Sequence, residues 1–401
     1  MGAFMVSKLI YFFEGLLFKI FCIFPIRNKI IGNTMRGRKF GDNPQYVFEA
    51  LHQLNPDIDF VWLVDKKFQV DLPSWVRPVY YNNVFKFLFE MATAKVYINS
   101  HVYGMGWRKR KGQLVIETFH GGLGIKKINF DVAHVRETPR LAKSIINTCN
   151  ISDVFISQSE HLSTLYRRAF GYKGLIYKCG YPKNDKLIKG NPEIPVNVRN
   201  HFGISENDKI VLYAPTFRDS FEKNGEMDFS VYGIDFARMK SAFEKKFGGT
   251  WTIMVKWHPI LANYVKDRDV GLCKGYLDAT QYNDMQDLII ASDAVVSDYS
   301  SCIFDAALRE IPCFTFATDF EEYKKDRGVY YEMDELPFPY AHNNDELEAN
   351  ILNFDQEDNS SKWAAFKERT GLFESGHAAL DIACKIDEFI KTGKVSWTLD
   401  S

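Results

Sequence analysis

The feature that most limits this fold is an alternation that runs along the chain, stops once and starts again. Short apolar runs alternate with stretches whose apolar residues recur at helical spacing. In the first half the strand-like runs are Lys29–Ile31, Phe60–Val64, Val79–Tyr81, Val96–Ser100, Leu114–Phe119, Val154–Ser157 and Leu175–Tyr177. Helical stretches lie between them at Pro44–Leu54, Val84–Thr93, Arg136–Thr148 and Glu160–Ala169. In "GDNPQYVFEAL", Asp42 or Asn43 is expected to cap a helix whose first position is Pro44. A break follows at "KGNPEIPVNVRN", Lys189–Asn200. The alternation resumes with strands at Lys209–Ala214, Trp251–Lys256, Ala294–Ser297 and Cys313–Phe316. Its helices are Phe236–Phe247, Met285–Ala291, Cys302–Arg309, Asp345–Leu352, Ser360–Arg369 and about His377–Lys391. Strand–helix alternation predicts parallel sheets, so the expectation is two Rossmann-like α/β domains with a cleft between them. The expected boundaries are 1–26 for an N-terminal helix, 27–192 and 193–376 for the domains, and 377–401 for a helix crossing back.

Length and composition agree with two such domains: 401 residues, 46% hydrophobic and 25% charged, provide full cores and argue against disorder. Lys and Arg number 50 against 51 Asp and Glu, so bulk charge gives no reason to expect a nucleic-acid partner. Seven cysteines are scattered without a CxxC pair, which suits reduced thiols rather than disulfides or zinc. The opening "FMVSKLIYFFEGLLFKIFCIFPI" is apolar but interrupted by Lys8, Glu14 and Lys19. Its uninterrupted runs fall short of the ~20 residues of a membrane span, and no cleavage site follows. A helix lying in the membrane interface and a helix packed under the first domain both fit.

Ligands of open α/β sheets bind beyond the carboxyl ends of the strands, and five stretches follow strands directly. In "ETFHGGLGIKKI", His120 can take a proton from a hydroxyl, Gly121 and Gly122 admit close backbone approach, and Lys126 and Lys127 add charge. A structural turn explains the same residues. In "YAPTFRDS", Arg218 can clamp a phosphate or pair with Asp219. "VKWHP" ends a strand in His258. In "VSDYSSCIFD", Asp298 ends a strand, and Ser300 or Ser301 can cap a helix whose N-terminus suits an anion. "GYPKND" places Lys183, Asn184 and Asp185 in a turn before the domain break, in the cleft or at a hinge. Beside these, Arg108 to Lys111 form a cation run next to Trp107, a solvated loop or a contact for acidic headgroups. No acid cluster calls for a metal.

Taken in order, "FHGGLGIKKI", "GYPKND", "YAPTFRD", "KWHP", "DMQDLIIASD" and "VSDYSSCIFD" resemble the motifs of the CDP-glycerol glycerophosphotransferase family of teichoic-acid primases and polymerases. The resemblance covers about Lys29 to Ile390. It implies a GT-B fold and transfer of glycerol phosphate from CDP-glycerol to a hydroxyl of a lipid-linked or polymeric glycan, with release of CMP, in teichoic-acid or capsule-type synthesis. It implies no cofactor, and a peripheral place on the cytoplasmic face of the membrane. His120 falls on the family's proposed base and His258 on its donor-phosphate histidine. Ser300 and Ser301 fall on the donor-phosphate helix start, Arg218 and Asp298 within donor-side motifs. Two departures concern the acceptor and the polyol: Gly-Leu-Gly replaces Thr-Pro-Leu after His-Gly, and Lys183 replaces an arginine, losing its fork. A CDP-ribitol donor, a nucleotide-sugar glycosyltransferase and an inactive scaffold are the alternatives. The oligomeric state is left open.

Overall fold

The computed structural model describes residues 2–101, 108–218, 222–223, 226–227, 230–258 and 275–397. Trp107, Asp219, Pro259 and Cys273 lie outside them, as do the side chains of residues 1–9.

The chain forms two compact units. Unit 1 comprises Met1–His120, Asn129–Asp185 and Phe373–Ser401; unit 2 comprises Gly121–Ile128 and Lys186–Leu372. These limits differ from the expected ones at 192 and 376, and the Gly121–Ile128 excursion has no counterpart in them.

Unit 1 holds a sheet of seven parallel strands: β1 (Arg27–Asn33), β2 (Asp59–Val64), β3 (Val76–Tyr80), β4 (Ala94–Asn99), β5 (Leu114–Glu117), β6 (Val154–Ser157) and β7 (Leu175–Lys178). Their order is β3-β2-β1-β4-β5-β6-β7. In unit 2, β8 (Lys209–Ala214) is followed by a small hairpin, β9 (Glu222–Lys223) and β10 (Glu226–Met227). Then come β11 (Trp251–Val255), β12 (Leu277–Asp278), β13 (Ala294–Ser297), β14 (Cys313–Phe316) and β15 (Tyr340–Ala341). The unit 2 sheet is parallel, in the order β12-β11-β8-β13-β14-β15. Counting only the strands of each sheet, unit 2 runs 3-2-1-4-5-6, the doubly wound order, and unit 1 runs the same with a seventh strand added at the end. Strand direction reverses its progress between β1 and β4 and between β8 and β13, where such sheets bind ligands.

The central unit 2 strands β8, β13 and β14 are buried on both faces, as parallel strands covered by helices must be. Ile210, Leu212 and Ala214 join one core, and the alternate residues Val211 and Tyr213 join the other.

The break expected at Lys189–Asn200 is largely a helix, Glu193–Phe202. Pro195 sits in its first turn, where backbone N–H groups have no intrahelical partner to lose. Gly203, at φ 66°, ends it in the left-handed conformation. The helix expected from Pro44 begins at Asp42 without a side-chain cap, because Asn43 is used elsewhere, as described below.

The N-terminal helix, Gly2–Phe21, packs Leu17, Phe18 and Phe21 against Phe87, Leu88 and Met91 of the helix Val84–Thr93. Ile10, Phe12, Phe13, Leu16 and Ile20 are exposed, and Ile23 beyond the helix is 83% exposed. Three cations of the run beside it are anchored rather than loose. The Arg108 guanidinium lies 4.3 Å over the Tyr11 ring and donates to the Tyr11 carbonyl at 2.9 Å. Arg110 donates to the Phe24 carbonyl at 2.8 Å, and Lys109 pairs with Asp153. Among the described residues, no helix is long and apolar enough to cross a membrane.

Candidate functional site

In unit 1 the carboxyl ends of the central strands carry a buried polar ladder. Asn33, ending β1, donates its amide to Asn99 of β4 at 2.9 Å, and Asn99 donates to Glu117 of β5 at 2.8 Å. Glu117 accepts the Phe119 N–H on its other oxygen at 2.9 Å. Burial, helped by the charge of Asp42, pushes the Glu117 carboxyl up to about 8, against the pull of the two hydrogen bonds. The Phe119 N–H contact matters because Phe119 has φ 53°, a left-handed conformation costly for a ring-bearing residue. Asn43 holds the same turn from the other side, donating to the Phe119 carbonyl at 3.0 Å. The next residue, His120, is therefore aimed by a strained and doubly anchored turn.

His120 is exposed, and its Nδ1 lies 2.9 Å from the Ser100 carbonyl. A carbonyl only accepts, so Nδ1 carries the proton, and the basic nitrogen of the neutral ring is Nε2. Its ring stacks on His101, centroids 4.1 Å apart and planes 9° apart.

The residues that follow His120 do something other than cradle an anion beside it. None of Gly121, Gly122 and Gly124 is in the left-handed region; the left-handed residue of this turn is Phe119. Leu123 and Ile125 are fully buried in the unit 2 core. The stretch runs antiparallel to Gly328–Tyr330: Lys127 donates to the Gly328 carbonyl at 2.9 Å, and Tyr330 donates to Ile125 at 2.7 Å. Lys126 forms a bridge with Val329. The four expected acceptor residues Gly121, Gly122, Lys126 and Lys127 thus belong to a segment anchored by its own apolar side chains.

"GYPKND" is also a joint. Asn184, fully buried, donates to Glu374 at 2.7 Å, and Glu374 accepts the Tyr181 N–H at 2.8 Å. Asp185 accepts the Ala378 and Ala379 N–H groups at 3.0 and 2.8 Å, capping the helix Ala378–Thr392 from outside it. Lys183 is 7% exposed, and its N–H donates to the Asn43 side chain at 3.1 Å. Gly180, at φ 89°, needs to be glycine: a Cβ there would lie 2.6 Å from the Glu374 carboxylate. Asn184 and Asp185, expected at the cleft or acceptor, hold the C-terminal segment on unit 1.

In unit 2 the ends of β8 and β13 are tied by Asp298, whose two oxygens accept the Thr216 N–H at 2.9 Å each. Arg218 donates to Asp298 at 2.6 Å, to Asp319 at 2.8 and 3.1 Å, and to the Thr216 carbonyl at 2.6 Å. Its guanidinium lies 4.5 Å from the Tyr299 ring. Burial opposes the charge, but the two carboxylates outweigh it and raise the guanidinium further above its usual value. With 1% of its surface exposed, Arg218 has been drawn into the protein by carboxylates, and neither it nor Asp298 presents itself to a phosphate. Phe217, between Thr216 and Arg218, instead stacks on His258 at 5.7 Å, so two of the expected stretches do meet. Ser300 accepts the Cys302 N–H at 3.4 Å at the start of the helix Cys302–Ala307. Ser301 occupies the cap position without a side-chain bond to the helix. Among the described residues, no cluster of three or more His, Cys, Asp or Glu side chains is placed to hold a metal ion.

The family model described as CDP-Glycerol:Poly(glycerophosphate) glycerophosphotransferase matches residues 16–387. The chain belongs to this family. Among similar proteins of the glycerophosphotransferase family is the teichoic acid poly(glycerol phosphate) polymerase of Bacillus subtilis (strain 168), 26% identical over 85% of this chain and 46% of its own length. The teichoic acid glycerol-phosphate transferase of Staphylococcus aureus (strain NCTC 8325 / PS 47) is 26% identical over 84% of this chain and 87% of its own. The chain thus spans about half the length of the polymerase it matches and most of the transferase. The solved structure of the wall teichoic acid polymerase TagF superposes with a TM-score of 0.81 at 23% identity, covering 96% of both chains. That likeness establishes the GT-B type α/β fold with its two parallel sheets. Of the residues that build this part of unit 1, Asn43, Asn99, Glu117 and His101 escaped the sequence reading as site residues. His101 alone left a signal there, since it follows an apolar strand as His120 and His258 do.

Proposed function

We propose that this protein transfers glycerol phosphate from CDP-glycerol to a hydroxyl of a lipid-linked or polymeric cell-surface glycan, releasing CMP. The observation that carries the reading is His120, in a chain of this family, with Nδ1 protonated against the Ser100 carbonyl and Nε2 therefore the basic nitrogen. In this mechanism Nε2 takes the proton as the acceptor O–H bond breaks and the oxygen bonds to the glycerol-bearing phosphorus. The bond from that phosphorus to the CMP oxygen breaks, and CMP leaves with the electron pair. His258 and the serines Ser300 and Ser301 hold the diphosphate, while Arg218 and Asp298 fix the loops that bear them. No metal and no nucleic acid enter the scheme. Incubation with CDP-glycerol, CDP-ribitol and UDP-sugars, with a lipid-linked acceptor present, should release CMP from CDP-glycerol. UDP release alone would overturn the reading.

The acceptor's lipid gives the exposed face of the N-terminal helix a role. Ile10, Phe12, Phe13, Leu16 and Ile20 form an apolar strip with Lys19 among them, suited to the inner membrane interface. Replacing Phe12 and Leu16 together by glutamate should release the protein from anionic vesicles without unfolding it. Undiminished vesicle binding would rule out the peripheral-membrane role.

A further inference from the structure

The ring stacked on His120 lies at the β1–β4 switch point of unit 1, where an open α/β sheet is expected to bind its ligand. His101 follows the end of β4. Its Nδ1 lies 3.4 Å from the Met35 N–H and 3.1 Å from the Ser100 hydroxyl. A backbone N–H only donates, so Nδ1 of His101 is an acceptor, and the neutral ring carries its proton on Nε2. Met35 presents that N–H from a left-handed run: Met35, Arg36 and Gly37 have φ 44°, 57° and 77° in succession. Such strain in two non-glycine residues persists only where the surroundings hold it. Here the Gly37 carbonyl accepts the Asp65 N–H at 2.8 Å, and Tyr81 donates to the Arg36 carbonyl at 3.0 Å. The His101 carbonyl accepts from Asn99, the same amide that donates to Glu117.

We infer that His101 is the positioning residue of the base: an imidazole locked in one tautomer by the Met35 N–H, against which the His120 ring is stacked and held. The inference rests on the reading of His120 as the base. It gives the stack a chemical reason beyond packing. When Nε2 of His120 takes the acceptor's proton, the ring becomes an imidazolium 4.1 Å from its neighbour. A second imidazolium there would repel it, whereas a neutral ring presents its π face to the new charge. The groups facing His101 all favour neutrality. Burial comes first, then the His120 ring and the cations Arg36, Lys39 and Arg38, and together they hold it well below the usual imidazole range. Glu117, reached through Asn99, is the acid of this neighbourhood, and its own burial favours the uncharged form.

The test combines kinetics and spectroscopy on the full chain. His101→Ala should lower kcat by about 10–100-fold with the KM for CDP-glycerol within ~2-fold, the signature of a misplaced group rather than lost binding. His101→Phe, which keeps a ring in the stack, should recover most of that loss. In histidine-labelled protein, with H101F and H120A used for assignment, His101 should show the Nε2–H tautomer and no titration from about pH 6 to pH 9, while His120 titrates. An Nδ1–H tautomer, joint titration of the two rings, or unchanged kcat in H101A would each overturn the inference. His120→Ala separates the two ideas: full activity in that variant defeats the base itself, while the tautomer of His101 is read without any turnover.

Discussion

After β5 the chain turns His120 toward solvent; after β8 it folds Arg218 inward until 1% of it is exposed. Both follow parallel strands near the switch point of a doubly wound sheet, and both carry chemistry suited to a phosphoryl-transfer site. The difference lies in what surrounds them. His120 meets a backbone carbonyl and a stacked ring, contacts that orient its imidazole. Arg218 meets Asp298 and Asp319, which make burial of the guanidinium tolerable and leave it structural. A residue's type sets what it can do, but the nearest opposite charge decides whether it is available to a ligand.

The strongest attack on this comparison is His120→Ala. It should reduce transfer by ~10²–10⁴-fold while the thermal midpoint stays near that of the parent, since an exposed imidazole stabilises little. Arg218→Ala should do the reverse. Leaving two buried carboxylates unpaired costs about 3–5 kcal/mol, so denaturant unfolding should shift strongly, with activity lost in proportion to folded protein. An R218A protein that is fully stable yet fails to bind CDP-glycerol would break the contrast.

Glu117→Gln sharpens the unit 1 side. The folded-state pKa of Glu117 lies above its unfolded value, so its stabilising contribution is complete at low pH and is lost as pH rises through about 8. Glutamine does not titrate. The midpoint of E117Q minus that of the parent should therefore grow more positive from about pH 5 to about pH 9. A difference that is flat with pH would mean that Glu117 is not buried uncharged. The smallest effect belongs to Asp185→Ala, which strips an external cap from Ala378–Thr392 and should cost about 1–2 kcal/mol in unfolding experiments.

Much of the fold was legible because periodicity reports burial directly: β6, β8, β13 and β14 have the limits that their apolar runs predict. The helix Glu193–Phe202 was hidden by Pro192 and Pro195, which read as a linker although a first turn accepts proline. The two-residue strands β12 and β15 carry too little pattern to show. At the candidate site, histidines at strand ends were visible, but the partners that sort them were not. Asn184 and Asp185 look like ligand groups in one dimension. Only the folded chain brings Glu374 and the Ala378 N–H to them across nearly two hundred residues of sequence. The polar ladder from Asn33 to Glu117 is equally non-local, and no spacing rule announces it.

The chain passes between the two units four times, because Gly121–Ile128 belongs to the second and Phe373–Ser401 to the first. On a ribosome this sets an order of completion. Leu123 and Ile125 emerge long before the β8–β15 sheet whose core they enter, and they must wait for it. Unit 1, though its sheet is synthesised first, lacks the helix that Asp185 caps until Ala378–Thr392 has followed the whole of unit 2 off the ribosome. The unit that begins folding first is completed after the other, so the turn bearing His120 belongs to a unit that closes only once the β8–β15 sheet has been made.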